Sequence, residues 1–316
     1  MAHNVRLDKS IARTVSVWKR IQNNPKIFVW VLLAPVLLFF IIFNVIPTLW
    51  MIGLSFYKYT LTSPNPPAFF GLRNFFMILP ANATWSALSK SFLFVICGVS
   101  IQTVLGLLLG FLFWHSAKMP GRRLALTLLF SPMIMAPVAV GNYFKLMLNP
   151  IFGVLNYIAK LITGSTYDFL GNPSLAFPTV LLVDVWMWTP FMILMTLAAL
   201  ASVPKAEMEA ASVDRLTFWQ KFKYVLLPNG KFIIMLGILL RTIDSFKTMD
   251  LVFTMTTGGP GNATEFIGIA IYRRAFEAFT MGLASTLALV TLLIAIAFTA
   301  VYLYVLKTKE RQAMLK

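Results

Sequence analysis

Six long apolar stretches constrain the fold of this chain more than any other feature. A helix needs about 20 predominantly apolar residues to cross the hydrocarbon core of a bilayer. Segments of that length and character occur at 27–54, 91–114, 124–148, 175–200, 232–255 and 281–306. The sequence therefore predicts an all-α integral membrane protein with six transmembrane helices. The first segment is too long, and lacks the small-residue cleavage pattern, to be a removable signal peptide, so we expect it to remain as an anchor.

Composition excludes several other classes of protein. Hydrophobic residues make up 59% of the chain and charged residues 12%, whereas soluble domains average about 25% charged residues. The one cysteine, Cys97, has no partner for an internal disulfide, and the two histidines, His3 and His115, are far apart in the sequence. We therefore expect no metal site. The sequence also lacks the nucleophile and zinc motifs that a membrane-embedded enzyme would need.

The distribution of basic residues predicts the orientation in the membrane. Lysine and arginine are retained on the cytoplasmic side, and this rule is satisfied when both termini and the segment 200–228 are cytoplasmic. The net charge of +16 is then mainly a topology signal. Nucleic-acid binding is excluded because the basic residues are dispersed among the spans. The residues placed inside are Arg6, Lys9, Arg13, Lys19, Arg20, Lys26, Lys118, Arg122, Arg123, Lys205, Arg215, Lys221, Lys223, Lys231, Lys307, Lys309, Arg311 and Lys316.

These assignments divide the chain into five regions. A basic cytoplasmic segment, 1–26, precedes the first transmembrane helix, 27–57, and an external loop, 58–90. Residues 91–306 form a core with five transmembrane helices, and 307–316 form a cytoplasmic tail. In the first region Ile11, Val15 and Trp18 recur at helical spacing beside basic residues, a pattern typical of an amphipathic helix on an anionic leaflet. A partly disordered basic tail fits the same residues, and both alternatives stay open.

The segment 200–228 is a long polar interruption in the apolar second half of the chain. Ser202 is placed to cap a helix entered through Pro204. Thr217 and Gln220 have the spacing of a capping box at the start of a second helix, which Pro228 would end. The sequence therefore predicts two short helices separated by a bend. A solvated amphipathic loop without a partner is the alternative to a docking surface.

This segment resembles the EAA loop of permease subunits of binding-protein-dependent ABC importers. The matching residues are Pro204, Glu209, Ala210, Ala211, Asp214, Trp219, Phe222, Leu227 and Pro228. The resemblance implies that the alanine pair packs into a cleft of a cytoplasmic ATPase subunit and that Glu209 supports the coupling geometry. The implied coupling residues are Glu209, Ala210, Ala211, Asp214, Arg215, Phe222 and Pro228. Arg215 departs from the family, which usually has glycine there to form a bend with positive φ.

Two external motifs narrow the resemblance. Residues 71–75, Gly-Leu-Arg-Asn-Phe, resemble a signature that precedes the permease core in sugar importers. Phe246, Asp250, the run 257–260 and the later Tyr272 to Phe276 resemble a pattern of carbohydrate permeases of the maltose and glycerol-phosphate type. The glycines of the run 257–261 do not form a nucleotide-binding P-loop, because the lysine and hydroxyl residue of that motif are missing.

The fourth and fifth spans contain the candidate substrate residues. Arg241, Asp244 and Lys247 recur at steps of three, and on a continuous helix Asp250 would lie on the side opposite Arg241. Ionisable groups at membrane depth normally face a partner charge or a water-filled cavity. Two interpretations follow. Asp244 forms a purely structural ion pair with Arg241 or Lys247, or these charged groups line a translocation path for the solute. Candidate substrate-path residues are thus Arg241, Asp244, Lys247, Asp250, Asp184 and Trp188, although a tryptophan near a span end is often an interfacial anchor.

The resemblance implies a transport subunit, not an enzyme, that moves a sugar, oligosaccharide or polyol by alternating access. A charged saccharide or glycerol-phosphate-type cargo, and a passive channel, are the alternatives. The implied partners are a second homologous permease subunit, two ATPase subunits that bind ATP and Mg, an extracytoplasmic solute-binding protein and membrane lipid. No cofactor is expected on this chain. The implied location is the cytoplasmic membrane of a bacterium or archaeon.

Overall fold

A computed structural model describes residues 24–115 and 120–314. The predicted N-terminal amphipathic helix and Lys118 lie outside the described residues. The helices are α1 (Pro25–Phe40), α2 (Ile46–Leu54), α3 (Arg73–Ile78), α4 (Asn82–His115), α5 (Arg122–Ile134), α6 (Pro137–Met147), α7 (Val154–Thr163), α8 (Pro173–Ala201), α9 (Lys205–Val213), α10 (Phe218–Lys221), α11 (Leu227–Phe246), α12 (Asp250–Thr256), α13 (Ile267–Tyr272) and α14 (Met281–Met314). π-helical turns occupy Ile41–Val45, Phe222–Leu226 and Arg273–Glu277.

Within the described residues, five helical stretches are long and apolar enough to cross a membrane. They are Pro25–Leu54, Asn82–Trp114, Pro173–Ala201, Trp219–Phe246 and Met281–Tyr304. The segment predicted as one straight span at 124–148 is instead the pair α5 and α6, bent by 99°. Pro137 begins α6, and the two residues before it are extended, because the proline ring disfavours helical backbone in the preceding residue. Counting this pair as one broken span gives six.

Close helix packing defines the centre of the fold. Helices α4, α8 and α11 pack against one another, and two glycines of α4 make the approach possible. A Cβ added at Gly106 would lie 2.4 Å from Cβ of Met192, and one at Gly110 would lie 2.7 Å from Cβ of Thr196. Small residues allow such backbone approach in membrane bundles, where van der Waals packing drives association. The three helices are thereby held close enough for their polar side chains to meet.

The first span differs from the others, because none of its most apolar window is buried. It contacts the rest of the chain through α2, which packs on α14. Many of its apolar side chains are exposed within this chain, and Trp30, Leu32 and Phe39 are each more than 60% exposed. An apolar helix exposed in this way fits a lipid or protein environment that lies outside the chain.

The loop 58–90, which the charge pattern predicts to be external, contains a small ordered cap. Strands β1 (Tyr57–Lys58) and β2 (Ala68–Phe69) pair antiparallel, a minor addition to the predicted all-α fold. Nδ2 of the buried Asn74 donates to the carbonyl oxygens of Ser55 and Tyr57, both at 2.9 Å. Helix α4 begins at Asn82, so its span starts well before the predicted residue 91. The asparagine of the 71–75 motif therefore ties the loop to the end of the first span.

The segment 200–228 contains the predicted pair of helices, α9 and α10, separated by a bend. Arg215 lies in this bend with φ of 52°, so arginine adopts the conformation that glycine would favour. The predicted cap by Ser202 is wrong, since its hydroxyl donates to the carbonyl of Ala199 at 2.8 Å. Of the predicted capping box, the glutamine half forms: Oε1 of Gln220 accepts from the N–H of Thr217 at 2.8 Å.

Pro228 does not end the second helix, contrary to the prediction. A π-helical turn at Phe222–Leu226 leads directly into α11, and Pro228 sits in the first turn of that helix. Proline inside a helix removes one backbone hydrogen bond, and the π-helical turn just before it changes the local hydrogen-bond pattern so that the helix continues. Trp219–Phe246 is consequently one helical unit of 28 residues. The polar loop and the fifth span thus share a single helix.

Candidate functional site

A buried ionic cluster joins the three central helices. Nη2 of Arg241 on α11 lies 2.5 Å from Oδ2 of Asp184 on α8, and their side chains are 1% and 0% exposed. Gln102 on α4 completes the cluster: its Oε1 accepts from Nε of Arg241, and its Nε2 donates to Oδ2 of Asp184, both at 2.9 Å. Buried charges are stable only when paired and hydrogen-bonded. This network meets that requirement for the guanidinium group.

The cluster continues toward the end of the fifth span. Nη1 of Arg241 donates to Oδ2 of Asp244 at 3.2 Å, and Nζ of Lys247 lies 3.5 Å from Oδ1 of the same carboxylate. The two ion pairs suggested by the spacing in sequence therefore form together. The guanidinium also lies 4.9 Å from the ring centroid of Trp188, within range of a cation–π interaction.

Helix α11 ends at this point, which corrects the prediction of one continuous span at 232–255. Lys247 is its C-cap residue, and α12 begins at Asp250. The N–H of Thr248 donates to the carbonyl of Ser245 at 3.2 Å, which tightens the last turn, and the Thr248 hydroxyl satisfies the free carbonyl of Asp244 at 3.2 Å. Asp250 accordingly does not lie on the opposite side of a helix from Arg241. It faces the same pocket as Asp244.

An open pocket of about 220 Å³ lies beside this helix break. Five of the six candidate substrate-path residues line it, and Arg241 lies beneath them. Asp184 reaches the pocket lining with a buried Oδ1 that has no hydrogen-bond partner among the described residues. Trp188 lies in the middle of α8 and not at a span end, which argues against an interfacial anchor. The pocket is lined by Pro137, Asp184, Trp188, Asp244, Lys247, Thr248, Met249, Asp250 and Leu251.

Sequence reasoning missed Gln102 and the ends of the broken helices. Gln102 is fully buried and connects both charges of the central pair. The sequence does indicate a buried role for Gln102, because a carboxamide in the middle of an apolar span needs hydrogen-bond partners inside the bundle. Pro137 reaches the pocket because the third span bends there. That contact follows from the tertiary arrangement and has no signal in the sequence.

The second candidate surface is the polar loop at the other end of α11. Glu209 and Ala210 on α9 are exposed, and so are Asp214 and Arg215 in the bend. Ala211 is only 3% exposed. It packs inside this chain in an apolar cluster with Phe111, Leu200, Val203, Val225 and Leu226.

The burial of Ala211 changes what the resemblance implied for the alanine pair. Of the two alanines, only Ala210 is available to an external partner. Val213 on the same outward side of α9 is 81% exposed. Ala210 and Val213 are three residues apart, so they lie on one face of α9 outside the spans.

The side chain of Phe222 is directed toward the chain's own interior. Its ring lies 5.6 Å from the ring of Phe111, in an edge-to-face arrangement. Pro228 is exposed in the first turn of α11. Phe222 therefore helps to attach the loop to the spans. Among the residues that the structure covers, no group of three or more potential metal ligands occurs.

Comparisons with known proteins agree with this arrangement. The trehalose/maltose transport system permease protein MalF of Thermococcus litoralis is 30% identical over 276 residues, covering 87% of this chain and 92% of that protein. The trehalose transport system permease protein SugA of Mycobacterium tuberculosis is 32% identical, covering 82% of this chain and 81% of that protein. The sulfoquinovosyl glycerol transport system permease protein SmoG of Agrobacterium fabrum is 28% identical, covering 93% of this chain and 95% of that protein. No protein-family model matches the sequence.

A solved structure shows the same fold. It is a bacterial ABC transporter involved in the import of the acidic polysaccharide alginate, and it superposes with a TM-score of 0.78 over 93% of this chain and 99% of that one. Sequence identity is 20%, so this likeness concerns the fold. Together, the relatives confirm the predicted transport role and the absence of an enzymatic one. The chain belongs to the family of permease subunits of ABC sugar importers, multi-pass membrane proteins that work with separate ATPase subunits.

Proposed function

We propose that the pocket beside the helix break is part of the path by which a carbohydrate crosses the membrane. The observation that supports this most strongly is a set of charged side chains around an open pocket between apolar helices. Charged groups at membrane depth are costly, and they are retained where they bind or conduct a solute. Sugars present many hydroxyl groups, which carboxylates and an ammonium group can satisfy. The relatives' names point to trehalose and maltose as cargo, and in one case to the sulfonated sulfoquinovosyl glycerol.

The proposed assembly has this chain as one half of a transmembrane pathway. A second homologous permease subunit supplies the other half, and two cytoplasmic ATPase subunits carry ATP and Mg. An extracytoplasmic binding protein delivers the sugar. A related alginate transporter was solved with its periplasmic protein bound, which supports this last partner. The exposed apolar surface of the first span, Pro25–Leu54, suits contact with the second permease subunit and with lipid.

The orientation follows from the charge pattern. With Arg122, Arg123 and the loop 200–228 on the inside, both termini are cytoplasmic and the strands β1 and β2 are external. The chain then lies in the cytoplasmic membrane of a bacterium or archaeon. Helix α9 is on the side from which a cytoplasmic ATPase can reach it.

In the proposed mechanism, α9 docks on an ATPase subunit and α11 transmits its movement. The supporting feature is the continuous helix Trp219–Phe246, which has the polar loop at one end and Arg241 and Asp244 near the other. A rigid helix transmits displacement, and a π-helical turn inside it is a frequent feature of functional helices. ATP binding shifts the pathway between outward and inward states only through a difference in affinity for those states.

The docking role is tested with three matched alanine-to-aspartate variants. Ala210→Asp puts a charge on the exposed face of α9, and we expect ATPase copurification and sugar uptake to be lost while the protein still inserts. Ala211→Asp buries a charge in an apolar cluster, so folded yield itself should fall. Ala83→Asp makes the same change at an exposed residue near the start of α4, on the proposed external side, and should be neutral. Normal copurification and uptake in Ala210→Asp would rule out docking through α9.

The transport role of the pocket is tested by two substitutions that keep hydrogen bonding but remove charge. Asp244→Asn and Lys247→Gln should change the sugar dependence of ATP-driven uptake in vesicles while the complex still assembles. Lys160→Gln, at an exposed lysine on α7, is the control. Unchanged uptake of every sugar in both pocket variants would contradict the proposal. Uptake that persists without ATP would favour the alternative of a passive channel.

A further inference from the structure

We infer that the pocket beside the helix break selects uncharged polyhydroxylated solutes and disfavours anionic ones such as phosphorylated sugars or uronates. This inference rests on the proposed function, because it assigns a substrate class to the same pocket. Three features of the pocket support it: the buried guanidinium is already paired, the charges that face the pocket are mainly negative, and hydrogen-bond acceptors outnumber donors. Each comes from a different set of contacts.

The guanidinium of Arg241 is not available to an anionic ligand. It is 1% exposed and already engages Asp184, Asp244 and Gln102. Arginine recognises carboxylate and phosphate by presenting two parallel N–H groups to them. Here those N–H groups are directed at the protein's own carboxylates. Arg241 is therefore used to hold the helices together.

The charges that remain at the pocket surface are predominantly negative. Asp244 and Asp250 contribute two carboxylates, and Lys247 contributes one ammonium group. The ammonium lies 3.5 Å from the carboxylate of Asp244, so the two charges largely offset each other. Asp250 is left without an ion-pair partner among the described residues of the pocket. An anionic solute would thus enter a region of like charge, which is unfavourable, more so where the dielectric constant is low.

The hydrogen-bonding groups show the same preference. Ionised carboxylates only accept hydrogen bonds, and Asp244 and Asp250 bring such acceptors to the pocket wall. A pocket rich in acceptors needs a ligand that brings O–H donors, and a sugar or polyol has several. A phosphate or carboxylate group instead brings further acceptors. Trp188 adds a half-buried aromatic ring to the wall, suitable for the apolar face of a sugar.

The inference is tested by direct binding to the assembled transporter, with both permease subunits and both ATPases in lipid nanodiscs. The solute-binding protein is omitted so that its own selectivity does not enter. The probes are matched pairs: trehalose and trehalose 6-phosphate, glucose and glucuronate, glycerol and glycerol 3-phosphate. Binding is measured by saturation-transfer NMR and by competition between the members of each pair.

We expect the neutral member of each bound pair to bind at least about tenfold more tightly, as for one unfavourable charge contact in a partly solvated pocket. Asp250→Asn should reduce this preference severalfold by raising the affinity for the anionic member. Glu277→Gln, which removes a carboxylate outside the pocket, should leave it unchanged.

Three results would overturn the inference. Tighter binding of the anionic members to the wild-type complex would do so while leaving the proposed transport function intact. A charge preference that is the same in Asp250→Asn as in the wild type would also do so, because the preference would then originate elsewhere. Absence of both saccharide binding and ATP-driven uptake would instead refute the proposed function, and the inference with it.

Discussion

The ion pair of Asp184 and Arg241 allows the most stringent test of how this bundle is held together. Its charged atoms lie 2.5 Å apart, and neither side chain is more than 1% exposed. We consider Arg241→Met and Asp184→Leu, which replace each residue by an apolar one, together with the double variant. Breaking a buried pair by removing one partner leaves an uncompensated charge and typically costs about 3–5 kcal/mol.

The two single variants are expected to differ. In Arg241→Met, the carboxylate of Asp184 keeps a hydrogen bond only from Gln102, so the full cost of about 3–5 kcal/mol applies. In Asp184→Leu, the guanidinium of Arg241 retains Asp244 at 3.2 Å and Oε1 of Gln102 at 2.9 Å. Its charge is then still partly compensated, and the cost should be lower. The double variant removes both charges but leaves the buried carboxamide of Gln102 without its hydrogen-bond partners. The expected loss of stability is about 1–3 kcal/mol.

The expected order of stability is therefore wild type, then the double variant and Asp184→Leu, and last Arg241→Met. Thermal unfolding of the purified complex, followed by tryptophan fluorescence and size-exclusion yield, measures this order. Lys247→Gln is the control, because it removes an ion pair whose lysine side chain is 71% exposed. Such exposed pairs contribute about 0–1 kcal/mol. If Arg241→Met unfolds at the same temperature as Lys247→Gln, the cluster does not stabilise the bundle.

Three shorter predictions concern the backbone and the external cap. Arg215→Gly should assemble normally and unfold at an equal or higher temperature, because glycine relieves a left-handed conformation that costs roughly 1–2 kcal/mol in other residues; severe loss of ATPase copurification would instead reveal a contact made by the arginine. Gly106→Ala should lower the unfolding temperature, with overpacking against Met192 costing about 1–3 kcal/mol, whereas Gly53→Ala, which has open space around it, should not. Asn74→Ala should increase protease cleavage within 58–72 in right-side-out membrane vesicles. An unchanged digestion pattern would show that the two hydrogen bonds of Asn74 do not hold the loop 58–90 in place.

The transmembrane class and the number of spans follow from local sequence, because length and apolarity alone decide whether a helix can cross a bilayer. The two breaks inside predicted spans are harder to predict. Pro137 gives a clear signal, since the residues before it avoid helical backbone. The break after Phe246 has no comparable signal, because the hydroxyl bond that Thr248 makes to the carbonyl four residues earlier also occurs inside continuous helices, at Thr196 and Thr242. At Pro228 the sequence predicts a helix end that the structure does not have. A π-helical turn allows the helix to continue through the proline.

Spacing along one helix identified the pairs of Asp244 with Arg241 and Lys247, since residues three apart are neighbours on a helix. It could not identify the partner that buries the guanidinium, because Asp184 is separated from Arg241 by 57 residues and Gln102 by 139. Those contacts exist only after glycines of α4 let the backbones of α4 and α8 approach. Ala211 is a similar case. Its motif fits an external docking role, and only the packed structure shows that its own chain already buries it.

The position of the buried cluster gives it a consequence beyond stability. Arg241 is fixed to α4 and α8 through Gln102 and Asp184, and it sits on the same continuous helix as the polar loop. A displacement of that loop cannot be absorbed by sliding of α11 alone, because sliding would separate a buried charge from its partner at a cost of several kcal/mol. The three helices are therefore expected to move together, with the pocket beside Asp244 at the end of the moving unit. When these three helices move, their side of the pocket shifts relative to the side formed by α6 and α12. The ionic cluster itself stays intact.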